Sequence, residues 1–423
     1  MQARYFLYIL LCTSLLIACS PTNNVTEPLT EEADGFSNAL NEDQNIFRTS
    51  IFNSLEQYEE EATNPGLKRY HLQLLTMAGR EDVGFTDGLK RQKKTTCDVT
   101  DARTLNSFDA DYSSVFGDII ADHNVVIINE DHSMPRDRTL ISNLVSFLDK
   151  QGFTHYAAET FGYEYPDGPE GKAVSEKSGN HALISDGYYT SEPLFGRLIT
   201  KTKSLNFELV TYEITQDDRL PEGASSSERI KNRENVQSDN LIKAVLGQSP
   251  QTKIVIHVGH SHVAEKPVPN YSDNGATKWM AALLKEKTGI DPLTISQTSC
   301  GSPTDKIILS KSMTDKDGKA ASMLTDFVIG HPKHKFKNNR PLWRYEIGDK
   351  AIPVPDSFLG TTEPILIEAR LSYQKDDAVP IERLLLRSGE TGIPLLLPDG
   401  NYRIEAFNSE GRFKEPVMIT VNK

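Results

Sequence analysis

Apolar and polar positions change rhythm three times along the chain. Over 43–78 the apolar residues recur at helical spacing, with Ile46, Ile51 and Leu55 followed, after Asn64-Pro65-Gly66, by Leu72, Leu74 and Leu75. Residues 79–110 are charged and irregular, and Lys90-Arg91-Gln92-Lys93-Lys94 reads as a solvated loop. From about 113 the pattern becomes regular. Val125-Val126-Ile127-Ile128 is a continuous apolar run, as a strand covered on both faces requires. Pro135 then opens an amphipathic helix with Leu140, Ile141, Leu144, Val145 and Leu148 on one face, ending before Gly152. Strand-like runs follow at Thr154–Ala158, Phe207–Tyr212, Lys253–Val258 and Leu293–Ser296, with helical stretches at about 191–203, 227–247 and 275–288. This alternation predicts an α/β fold, a mostly parallel sheet flanked by helices.

The last eighty or so residues have a different texture. Short β-like runs occur at Pro364–Tyr373, Ile381–Leu386, Pro394–Leu397, Tyr402–Phe407 and Val417–Val421, with a tight-turn signal at Leu397-Pro398-Asp399-Gly400-Asn401-Tyr402. A small C-terminal antiparallel β-sandwich is expected over 341–423, joined through a Lys-rich linker from His331 to Arg340 to an α/β domain over 43–330.

The N-terminus reads as an address. Arg4 precedes an apolar run, Tyr5 to Ile17, too short to remain as a transmembrane helix. Leu16-Ile17-Ala18-Cys19 resembles the lipobox of bacterial lipoproteins. That resemblance implies a signal peptide over 1–18, lipidation of Cys19 and attachment to the membrane through it. Ser20 resembles the residue that sends such proteins to the outer membrane. Residues 19–42 are polar and acidic, as a tether should be. Cys97 and Cys300 then remain, and export to an oxidising compartment suggests one disulfide between them, two separate buried thiols being the alternative.

Composition narrows the function classes. Lys+Arg 46 against Asp+Glu 59 gives a net charge of −13, so the chain has no electrostatic footprint for nucleic acid. Neither a Gly-x-Ser-x-Gly elbow nor a His-Glu-x-x-His motif is present. In an open parallel sheet, ligands bind beyond the carboxyl ends of the strands. Four such ends carry Asn129-Glu130-Asp131-His132, Glu159, Glu213 and Gly259-His260-Ser261-His262. One His or Glu at a strand end is usually a cap or a satisfied loop residue; four in succession point at one crevice. Glu130 with His132, and Glu159 with His262, suit acid/base pairs that activate water. The same side chains (His132, Glu159 and His262) also suit a divalent metal, whereas His257, within its strand, is expected in the core or behind the site.

The segment VVIINEDHSMPRDRTLISNLVSFLDKQGFTHYAAETF resembles the opening of the superfamily that joins erythromycin esterases, ChaN-type haem-binding lipoproteins and Tiki-type metalloproteases. KIVIHVGHSHVAEK resembles its second signature, a strand ending in Gly-x-x-His. The resemblance covers about 115–298. It implies that Glu130, His132, Glu159 and His262 form the catalytic set. Arg233 and Glu234 match more loosely, and His260 and Glu213 belong to a second tier. Asn129 stands where the superfamily has Gly, which requires a different backbone or a left-handed conformation at that turn. Three functions follow as expectations: a hydrolase of an ester or amide acting on a small molecule or peptide, a haem- or iron-binding lipoprotein, and a non-catalytic binding lipoprotein.

Overall fold

A computed structural model describes residues 47–58, 65–86, 95–161, 179–215, 217–269 and 275–422. The lipobox, the tether and the Lys90–Lys94 run lie outside the described residues. No described helix is long and apolar enough to cross a membrane.

The α/β part is built on an eight-stranded sheet. In chain order its strands are β1 (Arg103–Leu105), β2 (Val125–Glu130), β3 (His155–Ala158), β4 (Glu208–Val210), β5 (Ile254–Gly259), β6 (Leu293–Ser296), β7 (Ile307–Ser310) and β8 (Phe327–Gly330). Across the sheet the order is β1-β7-β8-β6-β2-β5-β3-β4. The run from β8 to β4 is parallel, and β7 pairs antiparallel with β8 and β1. The helices are α1 (47–58), α2 (Pro65–Met77), α3 (Glu81–Thr86), α4 (Ser113–Ala121), α5 (Pro135–Lys150), α6 (Pro193–Ser204), α7 (Ser226–Leu241), α8 (Met280–Thr288) and α9 (Leu342–Glu346).

Strand periodicity explains the two layers. On β2, Val126 and Ile128 face a core shared with α4, α5 and α6, while Val125 and Ile127 face a second core with α7 and α8. All four are fully buried, each contributing about 1.5–3 kcal/mol of hydrophobic stabilisation. Pro135 occupies the start of α5, where its missing N–H costs no helix bond, and Gly152 takes φ +81° just past its end. Ser225 and Glu228 form a reciprocal cap on α7, which runs on as a π-helical turn over Ile242–Leu246.

Some elements differ from expectation. The stretch at 275–288 is helical only from Met280, because Ala276–Thr277 pairs with Val268–Pro269 as a short ladder. The irregular region at 79–110 holds α3 and β1. The Lys-rich segment is anchored at both ends: His331 and Arg340 are buried, and Arg340 binds Glu382 and the Gly79 carbonyl.

The C-terminal part is antiparallel throughout. β9 (Ile365–Leu371), β10 (Glu382–Leu386), β12 (Gly400–Asn408) and β13 (Val417–Val421) form one sheet, completed by Gly411–Arg412. β11 (Leu395–Leu397) pairs separately with Lys350–Ile352, and the two sheets share a core. Its outer face is covered. Leu366 and Leu385 pack against Ile51, Leu55, Leu72 and Leu75 of α1 and α2, so the N-terminal helices close the sandwich as well as the α/β part. Cys97 and Cys300 form a disulfide in a small core with Ile308, Met313 and Val328.

Candidate active site

Register brings the strand ends together. Glu130 on β2 lies opposite Gly259 on β5, and the Glu159 N–H donates to the His257 carbonyl at 3.0 Å. The carboxyl ends of β2, β5 and β3 are therefore neighbours, and the residues that follow them share one crevice.

Glu130 is the buried anchor. Arg138, at the end of the first turn of α5, grips it through Nε to Oε2 and Nη2 to Oε1, both at 2.7 Å. His132 Nδ1 lies 2.9 Å from Oε1, and His257 Nε2 lies 3.1 Å from Oε2. Burial alone would raise the Glu130 carboxyl, but Arg138, His257 and the His132 hydrogen bond hold it well below the usual carboxylate range. Arg138 also donates to Glu192 Oε2 at 2.9 Å, and Glu192 caps α6 by accepting from Leu194 and Phe195.

That arrangement orients His132. With Nδ1 committed to Glu130, Nε2 turns toward Gly259, where any Cβ would collide with it and lie 2.9 Å from Glu159 Oε2. Glycine is required there by close approach, not by its backbone angle. The Tyr189 ring stacks on His132 with centroids 3.8 Å apart and planes 11° from parallel.

A second imidazole mirrors the first. His262 Nδ1 lies 2.8 Å from Glu234 Oε2, which also accepts the Met280 N–H at the start of α8. Its Nε2 lies 3.5 Å from Glu159 Oε1 and 3.2 Å from Arg233 Nη1. Burial would lower the His262 pKa, but Glu234 and Glu159 outweigh it and raise it. Arg233 reaches Glu159 at 2.6 Å and holds Glu213 through Nε at 3.0 Å and Nη2 at 2.5 Å. Glu159 accepts the Gly259 N–H at 2.5 Å. Burial raises its pKa, yet His262, Arg233 and His132 drive it down overall.

All eight residues expected at the site thus gather around Glu159 and Gly259. His260 is the outlier in exposure: it stands at the surface with φ +40° and meets His132 edge-on at 5.1 Å. Asn129 does not adopt a left-handed turn. It is the fifth residue of β2 and fully buried, so the backbone is that of a strand. Its Nδ2 donates to the His260 carbonyl at 2.5 Å and to Thr298 Oγ1 at 2.8 Å, while Oδ1 accepts the Gln297 N–H at 2.6 Å. Sequence reasoning missed Arg138, Glu192 and Tyr189. The available signal for Arg138 was a guanidinium on the inward, otherwise apolar side of α5.

The donor set does not fit a metal. Arg233 brings its guanidinium between Glu159 and His262, where a cation bound by His132, Glu159 and His262 would have to sit. Among the described residues no group of three or more His, Cys, Asp or Glu is arranged to hold a metal ion. A haem face fits no better, since each imidazole Nε2 opens onto charged or backbone groups instead of an apolar slot.

No family model matches the chain, and no curated protein matches it. Among solved structures it is similar to the type III effector HopBA1, at 14% identity over 55% of this chain and 97% of that one, with a TM-score of 0.32. A chain described as bacterial protein toxins has 9% identity over 70% of this chain and 48% of that one, at TM-score 0.31. The MARTX toxin effector domain RRSP of Vibrio vulnificus CMCP6 has 11% identity over 50% of this chain and 36% of that one, at TM-score 0.27. This chain spans less than half of the last two. Likenesses this remote carry neither family nor function.

Proposed function

We propose that the protein is a hydrolase of an ester or amide that works by metal-independent acid–base chemistry at the carboxyl end of the sheet. The observation that carries this reading is the pair of His–Glu dyads. In each, a carboxylate takes Nδ1 and turns Nε2 toward the crevice, where His132 Nε2 faces Gly259 and His262 Nε2 lies 3.5 Å from Glu159 Oε1 and 3.2 Å from Arg233 Nη1. The motif resemblance to the erythromycin esterase, ChaN and Tiki superfamily supports the same residues.

In the proposed reaction His132 Nε2 takes a proton from water as the water oxygen bonds to the substrate carbonyl carbon. The tetrahedral intermediate collapses when the bond to the leaving oxygen or nitrogen breaks and His262 Nε2–H protonates that atom. Glu130 and Glu234 hold the rings in register. Glu159 lies between the imidazoles and balances the positive charge as it passes from one to the other, and Arg233 offers a fixed cation near the developing oxyanion. We place the enzyme on the outer membrane through Cys19; the Cys97–Cys300 disulfide is what an exported chain keeps.

The test uses the full chain with a panel of p-nitrophenyl esters and aryl amides, before and after chelator treatment. Turnover should survive chelation and fall by about 10²–10⁴ in His132→Ala and in His262→Ala, with circular dichroism unchanged. Equal turnover in wild type and both variants would end the proposal.

A further inference from the structure

We propose that a second site, lined by none of the crevice residues, binds a small oxyanion (a phosphate or carboxylate group) in the cavity between the start of α5 and the segment 331–346. That segment begins HPKHKFKNNR, a basic run in a chain of net charge −13, and the hydrolase reading makes no use of it. The fold turns it into a wall. Arg136, Lys333, His334 and Lys335 line the cavity together with Phe108 and Trp343. Its volume is about 70 Å³. At about 10–15 Å³ per water on the same measure, that is room for one acid group and not for the body of a large metabolite.

Two buried donors bordering this cavity have no acceptor. Arg136 is 8% exposed and its Nε makes no hydrogen bond; Trp343 is 7% exposed and its indole Nε1 makes none. Arg136 spends Nη1 on the Pro332 carbonyl at 2.7 Å. The Asp137 carboxylate is 4.0 Å from Nε, beyond hydrogen-bond reach, and is engaged with the Asp131 N–H at 3.1 Å. Burial lowers the Arg136 pKa to about 10, which leaves it charged at neutral pH. A buried guanidinium Nε–H and a buried indole N–H that make no hydrogen bond are costly, and an oxyanion reaching both would satisfy them at once. The first turn of the sixteen-residue α5 adds positive potential beside Arg136. Of the carboxylates lining the cavity, Asp305 pairs with Lys335 at 2.9 Å and Glu346 is exposed at the rim, while Asp137, Glu81 and Asp131 act on Arg136 from outside the lining and offset part of its charge.

The chain has two tryptophans, so its indole N–H spectrum carries its own control. The full chain, labelled with ¹⁵N-tryptophan and assigned through Trp279→Phe, is titrated with sodium phosphate and separately with sodium acetate, at ionic strength held constant with chloride. The Trp343 resonance should shift saturably while Trp279 stays in place. A response to phosphate alone assigns a phosphate group, and a response to acetate assigns a carboxylate; either supports the site. Arg136→Met should abolish the shift. The exposed Lys333→Ala, which leaves the core untouched, should weaken the midpoint several-fold. A Trp343 signal that ignores both anions, follows chloride equally, or titrates with the same midpoint in Lys333→Ala overturns the proposal.

Discussion

Asn129 illustrates how one side chain does the work of a turn. Its carboxamide joins the end of β2 to the His260 carbonyl and to the 297–298 backbone and hydroxyl after β6. Those contacts set the His260-Ser261-His262 turn, and through it the position of His262. Replacing Asn129 with Gly, the residue of the resembling superfamily, therefore strands the buried Gln297 N–H and takes a donor from the half-buried His260 carbonyl. Asn129→Gly should lower unfolding stability by about 1–3 kcal/mol for each group left unsatisfied, read as a fall in the urea midpoint. A midpoint equal to wild type would show that this network contributes nothing. Glu130 is the counterpart on the other side of the crevice: it stays ionised in a dry site because Arg138 approaches with the fork geometry that a carboxylate matches.

At the level of elements, the segment before α6 decides whether His132 is held. It carries Tyr189, which covers the imidazole face, and Glu192, which secures Arg138. The sandwich fixes that segment. Leu183 bridges Ala378, the Ile184 N–H donates to the Asp377 carbonyl at 2.9 Å, the Val379 N–H donates to the Ala182 carbonyl at 3.0 Å, and Arg383 donates to the Ser191 carbonyl. The C-terminal module is thus a buttress for the crevice. Arg383→Met should speed backbone amide exchange across 182–192 by on the order of tenfold, with the strands of the main sheet unaffected. Hydrogen-exchange mass spectrometry reads this directly, and unchanged exchange in that segment would separate the sandwich from the site.

For the molecule as a whole, buried ion clusters set the response to pH. Glu130 and Glu159 in the crevice, and Glu368 between Arg48, Arg370 and Arg383, are buried carboxylates whose cationic partners overcome desolvation. Their folded pKa values lie below the ordinary 4.5, so the stability they contribute is complete above that value and is lost as pH falls through the folded values. His262 has the opposite sign: its folded pKa lies above 6.5, so its contribution is present below 6.5 and disappears as pH rises through the raised value. Melting temperature followed from about pH 3 to about pH 9 should drop steeply on the acid side and decline more gently on the alkaline side. A melting temperature flat below pH 4.5 would contradict the carboxylate assignment.

Patterning in one dimension was enough to read the α/β class, the amphipathic face of α5, the C-terminal strands and the carboxyl-end residues. Each of these is written in periods of two or 3.6 residues, or in the residue that directly follows a strand. The strands β1, β7 and β8, at one end of the sheet, escaped because short apolar runs without alternating helices have no distinctive period. Arg138, Glu192 and Tyr189 escaped for a different reason. Glu192 and Tyr189 meet partners more than fifty residues away, and Arg138, although only eight residues from Glu130, reaches it only because α5 docks back over the end of β2. The anchoring of the two ends of the Lys-rich segment was likewise decided in three dimensions: His331 and Arg340 gain their partners only once the sheet and the sandwich have met.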